Sequence, residues 1–253
     1  RFKKEVKEQY EALKEDGWWA RFFSNHDKPR QVSLYGDDRE YWLESAKMLG
    51  CYLHTLPGTP FVYQGEELGM TNIQLPSIND YDDIDTKNYY KPMLKEGASP
   101  KEALAESQMV SRDNARTPMQ WDDSENGGFS SCRPWLPVNE NYTRINAKQQ
   151  MEDQDSVFRF YQKLIALRKE NPVLVHGDFK LCCPEEGPVI AYTRSLEGET
   201  WLAVHNFSGQ EQKLEHDQVT EETRVILGNY KGQKAGNGFV RLRAYETMLL
   251  RLK

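Results

Sequence analysis

The chain has 253 residues, of which 38% are hydrophobic and 28% charged, and its formal net charge at pH 7 is −6. This composition is ordinary for a globular protein with one large domain or two smaller ones. The negative charge and the lack of a basic block argue against nucleic acid or an anionic membrane as a partner. No apolar run approaches the length of a membrane span.

The first predicted elements alternate between helix and strand. Apolar residues recur at helical spacing from Phe2 to Leu13, and a second helix is predicted from about Tyr41 to Leu56. Residues 18–23 (WWARFF) and 59–63 (TPFVY) predict short strands that are buried on both faces. This order is typical of a parallel sheet or a (β/α)₈ barrel. Two strands cannot close a barrel, so we expect its other strands to lie outside this chain.

A long irregular stretch follows over residues 71–150, rich in Asp, Asn, Gly and Pro. Within it, Ser99-Pro100-Lys101-Glu102 is a capping box that predicts a helix to about Val110. Asp155 or Ser156 then begins a further helix, which Pro172 should end. Its predicted inward side chains are Val157, Phe160, Tyr161, Leu164, Ile165 and Leu167.

The sequence pattern changes from Val173 onward, where short segments of alternating apolar and polar residues are separated by turns that contain glycine. Such a pattern predicts an antiparallel sheet domain of about 80 residues. The predicted strands are residues 188–193, 201–206, 223–227, 239–242 and 247–252.

The cysteines, at positions 51, 132, 182 and 183, form no C-x-x-C pair. Adjacent cysteines are poor candidates for a mutual disulfide, so we expect reduced thiols in a cytoplasmic protein. Cys51 and Cys132 are predicted to be small buried residues rather than nucleophiles. The histidines are too scattered to suggest a metal site, and no pattern indicates a cofactor.

The tripeptide Asn25-His26-Asp27 follows the first predicted strand. Active sites of (β/α)₈ barrels lie at the carboxyl ends of their strands, and an acid beside an imidazole could bind neighbouring hydroxyl groups. A strand-end turn with local hydrogen bonds is the simpler interpretation of three residues alone.

Three longer segments change that balance: residues 23–30 (FSNHDKPR), 61–70 (FVYQGEELGM) and 112–121 (RDNARTPMQW). The first resembles the fourth signature region of the α-amylase superfamily, glycoside hydrolase family 13. The second is similar to the strand-eight segment of its α-glucosidase branch, and the third to a segment typical of oligo-1,6-glucosidases. Their order and spacing also fit, and the resemblance extends from about Phe2 through Lys253.

The resemblance implies a fold that is α/β plus all-β. Residues 1–172 would form the C-terminal part of a (β/α)₈ TIM barrel with a long loop after strand eight. Residues 173–253 would form an antiparallel β-sandwich that packs against the barrel. Because the chain also begins at Arg1 directly in a helical pattern, we expect it to be a fragment of a longer enzyme.

The resemblance also implies a site. Retaining glycosidases use a carboxylate nucleophile and a carboxylic acid, and this family adds a third carboxylate that binds sugar hydroxyls. Asp27 would be that third, catalytic carboxylate, and His26 and Arg112 would bind the same glucose. The substrate would be a short α-glucoside oligosaccharide. The nucleophile and general acid belong to signature regions that this sequence lacks, so we expect the N-terminal part of the same enzyme as a partner and an inactive isolated chain.

Other charged residues have simpler interpretations. Glu66 and Glu67 are expected to bind loop backbone or arginine, and Arg30 to pair with Asp37, Asp38 or another loop acid. Structural pairing is likewise expected for Arg116. The acidic loop of Asp82, Asp83 and Asp85 lacks the spacing of an EF-hand, so a solvated or arginine-paired loop is predicted rather than a calcium site. Lys28 departs from the glutamine common in close relatives, which bears on leaving-group contacts.

Two alternatives remain open. Hydrolysis of trehalose 6-phosphate shares nearly every motif above, although a phosphate would need an additional basic site. A non-catalytic carbohydrate-binding or scaffold module would explain the missing carboxylates. Trp201 and Tyr230 of the sheet domain could contact sugar, but core packing is the simpler prediction for both.

Overall fold

A computed structural model describes residues 2–13, 17–183 and 186–252 of the chain. By spatial contact the chain forms two compact units. Unit 1 is Arg1–Phe22, Arg39–Phe61 and Phe160–Lys253, and unit 2 is Phe23–Asp38 and Val62–Arg159. These units do not follow chain order, so the predicted division at residues 172 and 173 stays a prediction.

The helices and strands of the described residues are numbered here in chain order. The helices are α1 (Phe2–Leu13), α2 (Gln31–Tyr35), α3 (Trp42–Thr55), α4 (Ile84–Lys95), α5 (Pro100–Val110), α6 (Asp113–Arg116), α7 (Ala147–Glu152), α8 (Val157–Glu170) and α9 (Pro172–His176). The strands are β1 (Ala20–Arg21), β2 (Thr59–Pro60), β3 (Asp178–Leu181), β4 (Val189–Leu196), β5 (Glu199–Asn206), β6 (Gln212–Glu215), β7 (Arg224–Gly228), β8 (Phe239–Leu242) and β9 (Thr247–Arg251).

Strands β1 and β2 of unit 1 pair in parallel, with Ala20 opposite Thr59 and Arg21 opposite Pro60. The prediction that these strands are buried was wrong. Each has two residues, and the aromatic residues beside them are exposed: Trp18 by 56%, Phe22 by 52% and Phe61 by 55%. A parallel strand is buried only when strands or helices cover both its faces, and the described chain pairs these two strands only with each other.

Helix α3 is buried from Ser45 to Thr55, and its bounds agree with the predicted ones to within a residue. Two buried guanidinium groups of unit 1 bind the carbonyl groups that the end of this helix leaves free. Arg168 Nη1 donates to the carbonyl oxygen of His54 at 2.7 Å, and Arg194 Nη1 donates to that of Thr55 at 2.8 Å. Burial lowers the pKa of Arg194 to about 10, so it stays charged at neutral pH.

The C-terminal strands form an antiparallel five-stranded sheet in the order β3-β4-β5-β9-β7 and a separate two-stranded sheet of β6 and β8. Both sheets contribute to one apolar core, which includes Ala191, Leu202 and Leu250 from the larger sheet and Val240 and Leu242 from the smaller one. The residues of this core are buried because each strand turns alternate side chains inward. This arrangement agrees with the predicted sandwich.

Unit 2 contains most of the long stretch that the sequence pattern left irregular. Helix α5 has the predicted bounds and capping box, since the Ser99 hydroxyl accepts from the Glu102 N–H at 3.3 Å and the Glu102 carboxylate accepts from the Ser99 N–H at 2.9 Å. Helices α4, α6 and α7 were not predicted. Within α4, Thr86 is the buried residue, so this helix has no apolar stripe to reveal it.

Three further predictions need correction. In α8, which Ser156 begins by accepting from the Arg159 N–H at 3.1 Å, Ile165 is 40% exposed rather than inward. Helix α8 ends at Glu170, two residues before Pro172. Pro172 itself begins a further short helix, α9, because proline fits the first turn of a helix. Cys132 is exposed, whereas Cys51 is buried as predicted.

Within the described ranges, no helix combines the length and the apolar character needed to cross a bilayer.

Candidate functional site

The segment Asn25-His26-Asp27 forms a local turn in unit 2. The Asn25 side-chain oxygen accepts from the backbone N–H of Asp27 at 2.8 Å, and the Asn25 carbonyl oxygen accepts from that of Lys28 at 3.2 Å. These are the hydrogen bonds of a simple strand-end turn. The turn leaves both acidic and imidazole groups accessible, since the side chain of His26 is 72% exposed and that of Asp27 is 49% exposed.

The carboxylate of Asp27 lies between an imidazole and two guanidinium groups. His26 Nε2 is 3.2 Å from Asp27 Oδ2, and Arg112 Nη1 is 4.0 Å from Oδ1. Arg116 Nη2 donates to Oδ1 at 2.7 Å, while its Nε donates to the carbonyl oxygen of His26 at 2.9 Å. The structure thus brings together the three predicted site residues and adds Arg116, which binds Asp27 more closely than Arg112 does.

Arg112 is fixed by the acidic loop that precedes α4. Its Nε donates to Asp83 Oδ1 at 2.9 Å, its Nη2 also contacts that oxygen, and Nη2 lies 2.9 Å from Asp85 Oδ2. The loop is therefore paired with arginine, one of the two arrangements expected for it. The hydrogen bond that Arg112 donates to Asp83 raises the pKa of Arg112, so the guanidinium remains charged.

Asp83 is the buried carboxylate of that loop, with a side chain 1% exposed. Burial alone would raise its pKa, but hydrogen bonds from the Arg112 guanidinium and the Thr86 hydroxyl hold the pKa well below the usual range. Asp83 also begins α4 by accepting from the Asp85 N–H at 3.2 Å. Asp83 was not predicted to contribute to the site, although an Asp just before a helix is a recognisable capping signal.

Arg30 connects three segments of unit 2 through backbone carbonyl groups. Its Nη1 donates to Gln64 O at 2.6 Å, its Nε to Asn114 O at 2.9 Å and its Nη2 to Ala115 O at 3.3 Å. The predicted ion pair with Asp37 or Asp38 was wrong, because the side chain turns into the interior, where these carbonyl groups need donors. Burial lowers the pKa of Arg30 to about 10, so it too remains charged.

Arg30 therefore holds helix α6 in place. Arg112 immediately precedes this helix, and Arg116 is its last residue. Both guanidinium groups that approach Asp27 come from this short segment. The geometry of the site consequently depends on the buried Arg30 as well as on the groups that face Asp27.

Glu66 and Glu67 bind loop backbone, as expected. Glu66 accepts from the Ser24 N–H at 3.1 Å, and Glu67 accepts from the Gly65 N–H at 2.8 Å. Burial raises the pKa of Glu66 to about 7, against the opposing effects of its hydrogen bonds and of Arg30. Gly65 itself has a left-handed backbone with φ of 91°, and a Cβ there would meet the Met70 sulfur at 2.5 Å.

The arrangement around Asp27 suits polyhydroxyl ligands. A carboxylate accepts hydroxyl hydrogens, while an imidazole and guanidinium N–H groups donate to hydroxyl oxygens. In the described part of the chain, no three His, Cys, Asp or Glu side chains are grouped so that they could hold a metal ion.

Family comparisons agree with the resemblance seen in the sequence. The model of the α-amylase catalytic domain matches residues 1–177, and that of the C-terminal domain of the α-amylase SusG matches residues 189–249. The oligo-1,6-glucosidase of Parageobacillus thermoglucosidasius is 43% identical over 99% of this chain and 45% of its own length. That of Halalkalibacterium halodurans is 46% identical over 93% of this chain and 42% of its own length. The chain thus spans less than half of each.

Solved structures of the same enzyme family also match this chain. Trehalose-6-phosphate hydrolase of Bacillus licheniformis matches with a TM-score of 0.92 and 39% identity, over 98% of this chain and 46% of that one. Isomaltulose synthase of Klebsiella matches with a TM-score of 0.91 and 35% identity, over 99% of this chain and 46% of that one. These matches confirm the predicted fold class, the C-terminal part of a TIM barrel followed by an antiparallel sheet domain. The chain belongs to the α-amylase family, glycoside hydrolase family 13.

Proposed function

We propose that this chain is the C-terminal part of a retaining exo-α-glucosidase that hydrolyses short α-glucosides of the oligo-1,6-glucosidase type. The observation that carries the proposal is the position of Asp27, whose carboxylate lies 2.7 Å from Arg116 and 4.0 Å from Arg112 beside the imidazole of His26. The identity of 43% to an oligo-1,6-glucosidase supports the substrate class.

Asp27 would act as the third carboxylate of the site. Its negative charge opposes the positive charge that develops on the glucose ring in an oxocarbenium-like transition state. Its oxygens would accept hydroxyl hydrogens of the same ring, while His26 and Arg112 donate to other hydroxyl oxygens. Arg116 would hold the carboxylate in place, since it binds both the side chain of Asp27 and the preceding carbonyl group.

The nucleophile and general acid would come from the N-terminal part of the same enzyme. Retaining glycosidases need two carboxyl groups about 5–5.5 Å apart, on either side of the scissile bond. The buried Glu66 is a poor substitute, because its carboxyl group is directed to the backbone of Ser24. We therefore propose that the isolated chain hydrolyses nothing, and that a non-catalytic sugar-binding module is the alternative if the complete protein is also inactive.

Hydrolysis of trehalose 6-phosphate is a second candidate. Its support is the TM-score of 0.92 to a trehalose-6-phosphate hydrolase, together with 42% identity over 93% of this chain to the Bacillus subtilis enzyme of that name. Against it, both arginines near Asp27 already contact carboxylates: Arg116 contacts Asp27, and Arg112 contacts Asp83 and Asp85. A phosphate group would need further cations.

Two organisational proposals accompany this function. A barrel part over residues 1–172 and a sandwich over residues 173–253 are supported by the family matches to residues 1–177 and 189–249. A cytoplasmic location is supported by the four unpaired cysteines.

The test is to measure kcat/KM of the complete enzyme and of the isolated chain on the same panel of substrates. We expect kcat/KM to be highest for isomaltose, lower for maltose and lower again for trehalose 6-phosphate, with no turnover by the isolated chain. Preference for trehalose 6-phosphate would favour the second candidate. Turnover by the isolated chain, or none by the complete enzyme, would contradict the proposal.

A further inference from the structure

A cleft of about 340 Å³ lies in unit 2 beside the Asp27 site and shares Arg116 with it. This volume is within the range of small-molecule sites, which is roughly 300–1,000 Å³. Gln64 and Glu67 are among its other polar residues, and three large aromatic side chains also line it: Trp121, Phe129 and Trp135.

The three aromatic side chains are unusually exposed for their size. Trp121 is 51% exposed, Phe129 is 49% exposed and Trp135 is 68% exposed. Several exposed aromatic groups that face one concave space form a surface that suits ligand binding. Their flat faces suit the C–H faces of sugar rings, whose hydroxyl groups remain free to reach polar walls.

The backbone that carries two of these aromatic residues is well defined. The N–H of Trp121 donates to the carbonyl oxygen of Gly127 at 2.8 Å. Gly127 and Gly128 adopt left-handed φ values of 63° and 66°, and a Cβ on Gly128 would meet the Asp122 carboxylate at 2.7 Å. These glycines allow the tight turn that returns the chain towards Trp121 and brings Phe129 to the cleft.

The charges of the cleft favour a neutral ligand. Among the described residues that line it, the guanidinium group is that of Arg116, which is already bound to the carboxylate of Asp27. The carboxylate is that of Glu67, which accepts from the N–H of Gly65. A phosphorylated or acidic ligand would therefore meet a cation that is already paired, as far as the described lining residues are concerned. A polyhydroxyl ligand could use the remaining hydrogen-bonding capacity of Arg116, Gln64 and Glu67.

We propose that this cleft binds the leaving group of an isomalto-oligosaccharide, with Trp121 and Trp135 stacking on glucosyl units beyond the one that is cleaved. The inference rests on the proposed function, in which the terminal glucose occupies the site of Asp27. An exo-acting enzyme must let the rest of the substrate extend away from that site. The cleft adjoins it through Arg116, which contacts Asp27 on one side and lines the cleft on the other.

The experiment compares two substrates of the complete enzyme that carry the same glucose and different leaving groups. α-Glucosyl fluoride releases a single atom, which cannot reach the cleft, whereas isomaltotriose releases a disaccharide. In Trp135→Ala and Trp121→Ala, we expect the ratio of kcat/KM for isomaltotriose to that for the fluoride to fall about tenfold, the effect of one lost stacking contact. Tyr89→Ala, which removes an aromatic side chain that is 47% exposed but does not line the cleft, should leave the ratio unchanged.

The outcomes separate the two proposals. Hydrolysis of the fluoride reports on the proposed function alone, and it also reveals whether each variant is folded. If both tryptophan variants keep the wild-type ratio while hydrolysing the fluoride, the cleft does not bind the leaving group. Equal loss on both substrates would overturn the inference as well, since it would mean that the aromatic residues support the fold or a contact with another part of the enzyme. If no variant and no wild-type enzyme hydrolyses the fluoride, the proposed function fails first.

Discussion

Besides the adjacent His26, the side chains that contact Asp27 lie far from it in the sequence. Arg116, which donates to its carboxylate, is 89 residues away, and Asp83, which fixes Arg112, lies 29 residues from that arginine. Sequence motifs predicted His26, Asp27 and Arg112, because those residues belong to recognisable segments. They could not predict Arg116 at the site, since the pairing depends on the three-dimensional path of the loop between the segments.

The buried carboxyl group of Glu66 should make the stability of the chain depend on pH. One of its carboxylate oxygens accepts from Ser24, and the other, Oε2, is buried without a partner among the described residues. Burial raises the pKa from 4.5 to about 7, so the folded chain binds a proton that the unfolded chain releases in this range. The free energy of unfolding should therefore fall as pH rises from about 4.5 to 7.

Glu66→Gln keeps the acceptor for Ser24 and removes the titration. Relative to wild type, we expect the variant to gain roughly 1–3 kcal/mol in free energy of unfolding between pH 4.5 and pH 7.5. Urea denaturation at the two pH values measures this. Glu67→Gln serves as the control, because Glu67 is the neighbouring glutamate and its side chain is less buried than that of Glu66. A pH-independent difference between Glu66→Gln and wild type would contradict the assignment.

At the scale of elements, the helices that could be predicted are those with strong local signals. Helices α3 and α8 bury an apolar face, and α5 has a capping box. Helix α4 is mostly exposed, and strands β3 and β6 each bury one residue, whereas β8, which was predicted, buries two of its four residues. The patterns of α4, β3 and β6 therefore show too little apolar alternation to be recognised. The short helix α6 is stabilised from outside, by the carbonyl contacts of Arg30.

Weakening the contacts of Arg30 should therefore disturb the position of α6. Lysine retains the charge but offers one ammonium group in place of a planar fork, so Arg30→Lys should lose some of the carbonyl contacts. Because α6 carries both arginines near Asp27, we expect kcat/KM of the complete enzyme to fall by about tenfold or more. Arg168→Lys is the matched control, since Arg168 is also buried and donates to carbonyl groups, but in unit 1 at the end of α3.

Both lysine variants should lower the free energy of unfolding, whereas only Arg30→Lys should lower kcat/KM under conditions where the protein is folded. Equal kinetic effects from the two substitutions would show that Arg30 stabilises the protein without positioning the site.

At the scale of the whole molecule, strands β1 and β2 leave aromatic side chains exposed. The apolar runs of residues 18–23 and 59–63 predicted both strands, but as part of a covered sheet and not with exposed side chains. Apolar residues on a sheet face are stable in water only when another layer covers them. The proposed N-terminal part would supply that layer, since its strands would continue the barrel on either side.

We expect the proposed N-terminal part to cover the exposed apolar side chains beside β1 and β2. Production together with the N-terminal part should reduce binding of an apolar fluorescent dye, relative to the chain alone. Phe22→Lys should weaken association of the two parts, because a charge would replace an apolar contact. Met151→Lys, at a residue also 52% exposed but in helix α7, is the control and should leave association unchanged. Equal effects of the two substitutions would argue against docking at these strands.

The central claim is that the carboxylate of Asp27 acts on the glucose ring during hydrolysis. The most direct measurement is kcat for α-glucosyl fluoride in the complete enzyme carrying Asp27→Asn. The control variant is Asp123→Asn, which changes an exposed carboxylate that pairs with Lys148. The account predicts a loss of about 10³-fold or more for Asp27→Asn, as charge stabilisation of the transition state disappears, and no change for Asp123→Asn. Near-normal turnover by a folded Asp27→Asn enzyme would contradict it.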